Sequence, residues 1–224
     1  EQQDPALVVP ISFCRCHSVG NDIFFPSRYF FVMTSNIGAL VLAAGFSNRF
    51  GSIKLLAELE NGLTVFEQTL LRICAAIDSV VVVTRPGMPD QITSYSFPIH
   101  VFDQAKRGMG ASLAYGINKI EHWDACLICL ADMPFIGQNT YQMLADNLTS
   151  NKIIIPTYKN KPGNPVGFGR EFFGELKTLT GDSGARSVVD QHTEATVKLE
   201  INDPAILWDV DTPVDLSRYQ FRSS

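Results

Sequence analysis

Two cations stand alone in a glycine-punctuated turn. In LVLAAGFSNRFGSIKLL, residues 40–56, Arg49 and Lys54 are the only charged side chains. The run Leu40-Val41-Leu42-Ala43-Ala44 is uncharged and reads as a buried strand. Gly45 ends it, and Ser47, Asn48 and Gly51 keep the following residues turn-like. Small residues at a strand end let the backbone approach a ligand, and loop N–H groups can line up on phosphate oxygens. Arg49 offers a planar fork and Lys54 a point charge for the same anion. Leu42, Ala43, Ala44, Gly45, Ser47, Arg49 and Lys54 therefore form a candidate cradle for a nucleoside triphosphate. It is not a Walker loop, because the GxxxxGK[ST] spacing is absent. The plain structural alternative is a strand–turn–helix with two solvated cations.

Three further stretches carry candidate chemistry. In Asp103–Leu113, DQAKRGMGASL, Gly108 and Gly110 permit close backbone approach, and Ser112 can hydrogen-bond a base or ribose near a helix start. The alternative is an ordinary glycine turn leading into a helix. Asp132, in Leu-Ala-Asp-Met-Pro, follows a buried strand directly and is stiffened by Pro134. Mg²⁺ takes one or two carboxylates together with phosphate oxygens, so Asp132 suits a metal; a helix cap is its other reading. In WDVDTPVDL, Thr212, Pro213 and Asp215 have the spacing of a helix start, which makes Asp215 structural. Asp209 and Asp211 point the same way if that segment is extended.

These residues need a scaffold that presents strand ends side by side. Ser79–Thr84 and Ala125–Ala131 read as buried strands, and Ile99–Phe102 and Ile153–Pro156 as shorter ones. Helices are expected at Val65–Ile77, where Thr64 and Glu67 have capping-box spacing, and at Gln138–Leu148. Strands alternating with helices predict an α/β fold, a doubly wound and mostly parallel sheet. Ligands in such sheets bind beyond the carboxyl ends of the strands, where the candidates lie. Thr157–Pro165 would separate a nucleotide-binding part, about 36–156, from a second part, about 157–224, in one domain with two lobes. Residues 1–32 fit this pattern poorly. They read as an extension outside the fold, with Met33 as the natural start.

Composition narrows the function classes. The 224 residues carry a net charge of −5, which gives no reason to expect a nucleic-acid surface. No apolar run approaches the ~20 residues of a spanning helix. Five cysteines without an extracellular signature suggest reduced thiols and a cytoplasmic setting. Cys14, Cys16 and His17 lack zinc-finger spacing. Cys126 and Cys129 are a CxxC inside a strand, where alternation sends them to opposite faces and argues for packing.

LAAGFSNRFGSIKLL resembles the LAAGxSxRxGxxKLL signature of the MobA-like nucleotidyltransferases. GMGASL, LADMPFI, GNPVGF, GDSGAR and DVDTPVDL bring the chain closest to the molybdenum cofactor cytidylyltransferases within that superfamily. The resemblance runs from about residue 37 to 216 and implies a Rossmann-like nucleotidyltransferase fold. It places the Gly108–Leu113 loop against the nucleobase and the metal, Mg²⁺, on Asp132. It makes Asp211 a second metal carboxylate and turns Asn164, Pro165, Asp182 and Arg186 toward the acceptor. Asn164 stands where the family has His, and Asp182 with Arg186 could instead be an i,i+4 surface pair. The implied reaction moves CMP from CTP to the phosphate of molybdopterin cofactor, with Arg49, Lys54 and Asp132 as catalytic residues and a molybdenum hydroxylase as a downstream partner. The alternatives are GTP or ATP as donor, a sugar-phosphate acceptor, or a cofactor-binding chaperone without catalysis.

Overall fold

The computed structural model describes residues 36–46, 50–88, 92, 97–182 and 184–223. Ser47, Asn48, Arg49 and the Cys14–His17 cluster lie outside the described residues.

A strand rich in small and branched apolar residues, β1 (Ile37–Leu42), forms the middle of an eight-stranded sheet. It pairs in parallel with β2 (Ser79–Thr84) on one side and β4 (Ala125–Leu130) on the other. The short β3 (Ile99–Val101) continues the parallel set beyond β2. The second half of the chain brings antiparallel pairing. β7 (Val166–Gly169) runs antiparallel to β4 and to β5 (Ile153–Tyr158). The two-residue β6 (Lys161–Pro162) also pairs β5 antiparallel, whereas β8 (Thr196–Glu200) pairs it parallel. The architecture is a mixed α/β fold on a single sheet, with the parallel part holding the candidate site.

Alternation along the strands separates two apolar layers. Ala39, Val41, Val80, Val82, Leu127 and Cys129 enter one, while Leu40, Val81, Val83, Cys126 and Ile128 enter the other. Cys126 and Cys129 thus lie on opposite faces, and burial pushes both thiols well above their ordinary pKa. The first layer is closed by Phe66, Leu70 and Ile73 of α1 (Val65–Cys74) and by Tyr141 and Leu144 of α3 (Gln138–Asn147). The second is closed by Leu113 and Ile117 of α2 (Met109–Ile117) and by Phe173 and Leu176 of α4 (Phe173–Leu176). A fully buried apolar side chain of this size contributes roughly 1.5–3 kcal/mol, so two such layers hold the strand ends firmly.

Local chemistry sets the helix starts. Thr64 Oγ1 accepts from Glu67 N at 3.2 Å while Glu67 Oε2 accepts from Thr64 N at 2.7 Å, the reciprocal box expected from their spacing. Thr212 and Asp215 do the same for α6 (Pro213–Ser223), at 2.9 and 3.2 Å. A shorter helix, α5 (Arg186–Gln191), has six residues. Among the described residues no helix is long and apolar enough to cross a membrane.

Candidate active site

The chain leaves β1 for β2 and reaches β4 only later, so the order of the sheet reverses between β1 and β4. Crevices form at such points beyond the carboxyl ends of the strands. A cleft of about 430 Å³ lies there. Leu42, Ala43, Ala44 and Gly45 leave β1 along one wall, and Leu130, Ala131 and Asp132 leave β4 along the other. The ladder continues past both strands, with Ala43 N donating to Val83 O at 2.8 Å and Ala131 N to Leu42 O at 3.2 Å. Those two N–H groups are therefore occupied.

Lys54 opens a short 3₁₀ turn, Lys54–Leu56, pinned by the buried Leu55. Its Nζ donates to Asp132 Oδ2 at 2.5 Å and to Asp211 Oδ1 at 3.0 Å. The side chains of Lys54, Asp132 and Asp211 are only 12, 17 and 25% exposed. Burial alone would lower the pKa of the ammonium. The charges and hydrogen bonds of Asp132 and Asp211 outweigh it, so the net shift is upward. Asp211 reaches this place through its neighbour: Val210 is fully buried and its N–H donates to Asp132 O at 3.0 Å. With Val210 turned inward, Asp209 and Asp211 both face the cleft. Burial first, then the nearby Asp211 and Asp132 carboxylates, raise the pKa of Asp209.

The third wall is the start of α2. Gly108 has φ +106°, a backbone that side chains rarely adopt, and a Cβ there would run into Asp182 Oδ1 and the Gly181 backbone. Met109 N donates to Asp182 Oδ1 at 3.3 Å, and Gly110 N to Gly181 O at 2.7 Å. Gly108, Met109, Ser112 and Asp182 line the cleft. Ser112 Oγ lies 3.2 Å from Gly108 O, within the first turn.

Not every expected site residue comes to this cleft. Gly110 does not line it; its N–H is spent on Gly181, so its lack of a side chain serves packing between segments. Asn164 and Pro165 lie outside the lining, joined by a cis peptide, with Asn164 N donating to Ile206 O at 2.9 Å. Arg186 points to solvent, 84% exposed, and its partner is Asp190 at 3.8 Å, one turn along α5. The alternative pairing of Asp182 with Arg186 on a helix is also replaced, because Asp182 precedes the helix and meets Met109.

Other contributors were not expected. Phe46, Leu55, Ala105, Met109, Leu130 and Ala131 line the cleft. Leu130 and Ala131 satisfy the same strand-end logic as Leu42–Gly45, applied one strand over. Arg85 Nε donates to Gly45 O at 3.3 Å and its guanidinium lies 4.8 Å over the Phe46 ring. Its position directly after β2 is the signal that marks it. Thr69 Oγ1, fully buried on α1, lies 3.1 Å from Ala131 O and steadies the backbone just before Asp132.

The donor set fits a hard divalent cation completed by substrate. Asp132 Oδ1 is buried and has no hydrogen-bond partner among the described residues. Such an atom is costly unless something binds it. No cluster of three or more His, Cys, Asp or Glu suited to a metal occurs among the described residues, so two carboxylates would need phosphate oxygens to complete a shell.

The family model for the MobA-like NTP transferase domain matches residues 39–196. The chain belongs to the MobA-like NTP transferase family. It is a nucleotidyltransferase. The transferase is 30% identical over 187 residues to the purine catabolism protein PucB of Bacillus subtilis, covering 77% of this chain and 90% of that one. Its fold is similar to the crystal structure of Rv0371c from Mycobacterium tuberculosis, with 27% identity, TM-score 0.74, and coverage of 84 and 98%. A complex of Rv0371c with manganese is similar as well, at 25% identity, TM-score 0.70, and coverage of 84 and 99%.

Proposed function

We propose that this nucleotidyltransferase is Mg²⁺-dependent and moves CMP from CTP to the terminal phosphate of a molybdopterin-type cofactor, releasing pyrophosphate. The observation that carries the reading is the Asp132–Lys54–Asp211 arrangement on the cleft floor, with a buried Asp132 oxygen left over. The match of GMGASL, GDSGAR and DVDTPVDL to the cytidylyltransferase branch supports the base and the acceptor. The name of PucB fits a product destined for a purine-oxidising molybdenum hydroxylase.

In the reaction an acceptor phosphate oxygen bonds to the α-phosphorus of CTP. The bond from that phosphorus to the bridging oxygen breaks, and its electron pair leaves with pyrophosphate. The acceptor is already anionic, so the chain supplies no base. Asp132 and Asp211 would hold the metal, which when bound supplies charge neutralisation at the reacting phosphate. Lys54 supplies a positive charge for the triphosphate, and Arg49 is assigned the same role. The small residues Ala43, Ala44 and Gly45 leave room along the wall for the phosphates. Gly108 and Ser112 face the nucleoside, and Asp182 bounds the same wall beside them. Asn164, Pro165 and Arg186 would contribute to acceptor binding only from outside the cleft. Residues 1–32 are assigned to an extension outside the transferase domain.

The test incubates the protein with molybdopterin cofactor, Mg²⁺ and each of CTP, GTP, ATP and UTP. The readouts are pyrophosphate release and the mass of the product. The cytosine dinucleotide should form in preference to the others. Turnover with another nucleotide, or cofactor binding without pyrophosphate, overturns the reading.

A further inference from the structure

Lys54 touches both acids of the proposed metal site, and the two roles given to it conflict. Its Nζ lies 2.5 Å from Asp132 Oδ2 and 3.0 Å from Asp211 Oδ1. Mg²⁺ binds carboxylate oxygens at about 2.0–2.1 Å. An ion on those same two oxygens would sit against the ammonium, two like charges in one partly buried gap. The two acids take two of the three N–H donors of the ammonium, which limits what it can offer to phosphate oxygens. A cation already bridges the pair, and it belongs to the chain.

We infer that Lys54 is the resident counter-cation of the carboxylate pair, displaced when the divalent ion arrives and passed to the phosphate oxygens that arrive with it. The inference rests on the metal assignment made under Proposed function. It adds an order to the binding. Without nucleotide, the metal must break both charge-assisted hydrogen bonds of Lys54 with no phosphate to replace them, so metal alone binds weakly. With triphosphate present the ammonium exchanges one anion for another. Metal and triphosphate then strengthen each other's binding by the same factor, as linkage requires. The buried Asp132 Oδ1, which has no partner among the described residues, offers the incoming ion a first contact before the exchange.

The test is a nucleotide-free titration with Mn²⁺, followed by electron paramagnetic resonance of the free ion. Wild-type protein is compared with Lys54→Met, Asp132→Asn and the double variant. Lys54→Met should bind Mn²⁺ about tenfold tighter than wild type, within the usual range of such couplings. Adding Asp132→Asn should remove the gain. If Lys54→Met binds no tighter while Asp132→Asn still weakens binding, displacement is wrong and the metal site stands. If Asp132→Asn changes nothing in either background, the metal assignment falls, and this inference with it. A wild-type measurement covers the case in which Lys54→Met does not fold. Acetylation of Lys54, read by mass spectrometry, should quicken several-fold when Mn²⁺ is added without nucleotide. An unchanged rate overturns the inference.

Discussion

Asp132 and Lys54 are the residues on which a single atom decides most. Asp132→Asn keeps the shape of the side chain and removes its charge; Lys54→Met keeps the stem and removes the ammonium. Each should lower pyrophosphate release by about 10²-fold or more, the scale of losing one charge-stabilising group in a water-poor site. Circular dichroism should show the fold retained in both. Lys54 also carries a pH signature. In the unfolded chain it titrates near its ordinary 10.5, and the two carboxylates hold it higher in the fold. Its contribution is thus complete below that pH and is lost as the pH rises through the raised folded value. Urea midpoints of wild type and Lys54→Met should therefore converge at strongly alkaline pH and differ below it. Lys54 and Asp132 were legible as candidates because each follows a recognisable strand end. Their direct contact was not, since 78 residues separate Lys54 from Asp132 and 157 separate it from Asp211. Thr69 was invisible for the same reason: nothing in its own helix announces that its hydroxyl reaches a carbonyl 62 residues away.

At the scale of elements, the junction of α2 with the segment before α5 sets the third wall of the cleft. Gly108→Ala forces a side chain onto φ +106° and into the Asp182 carboxylate and Gly181 backbone. It should cost about 1–3 kcal/mol from backbone strain alone, seen as a lower urea midpoint. Among the described residues Asp182 makes one long hydrogen bond, 3.3 Å to Met109 N, and Asp182→Ala should cost about 1 kcal/mol or less. The backbone, more than the carboxylate, holds this wall in place. Strand β4 gives a chemical readout of the two apolar layers. Cys126 and Cys129 are buried with raised pKa, whereas Cys74, also raised, is exposed. Among these three, iodoacetamide mapped by mass spectrometry should label Cys74 first and the strand pair only on unfolding. The parallel strands and the capping boxes were readable, because unbroken β-branched runs and Thr-x-x-Glu or Thr-x-x-Asp spacings are local signals. β7 was not: its sequence, Val-Gly-Phe-Gly, has two glycines in four residues and reads as a turn until β4 and β5 flank it. β8 is half exposed and β6 only two residues long, so neither carries a pattern of its own.

For the whole molecule the question is how an acidic protein holds a polyanion. The net charge is −5, and among the described residues the cleft is lined by four carboxylates, Asp132, Asp182, Asp209 and Asp211, against one ammonium, Lys54. Those four carboxylates oppose an approaching nucleoside triphosphate, and a divalent cation that comes with it offsets them. Calorimetric binding of CTP should therefore weaken at least about tenfold when EDTA replaces Mg²⁺. Asp209 separates this field effect from loss of metal ligands. It faces the cleft, and the pKa of its carboxyl is raised by burial and by its acidic neighbours. Asp209→Asn removes one repulsive charge and leaves the Lys54 bridge in place. At a separation of several ångströms through solvent-rich surroundings, one unit charge is worth on the order of 1 kcal/mol, a few-fold in affinity. CTP binding in EDTA should improve by that factor in Asp209→Asn, and the gain should shrink as added salt screens the field. Weaker binding in the variant would instead make Asp209 a ligand of the bound state, sharing the metal with Asp132 and Asp211.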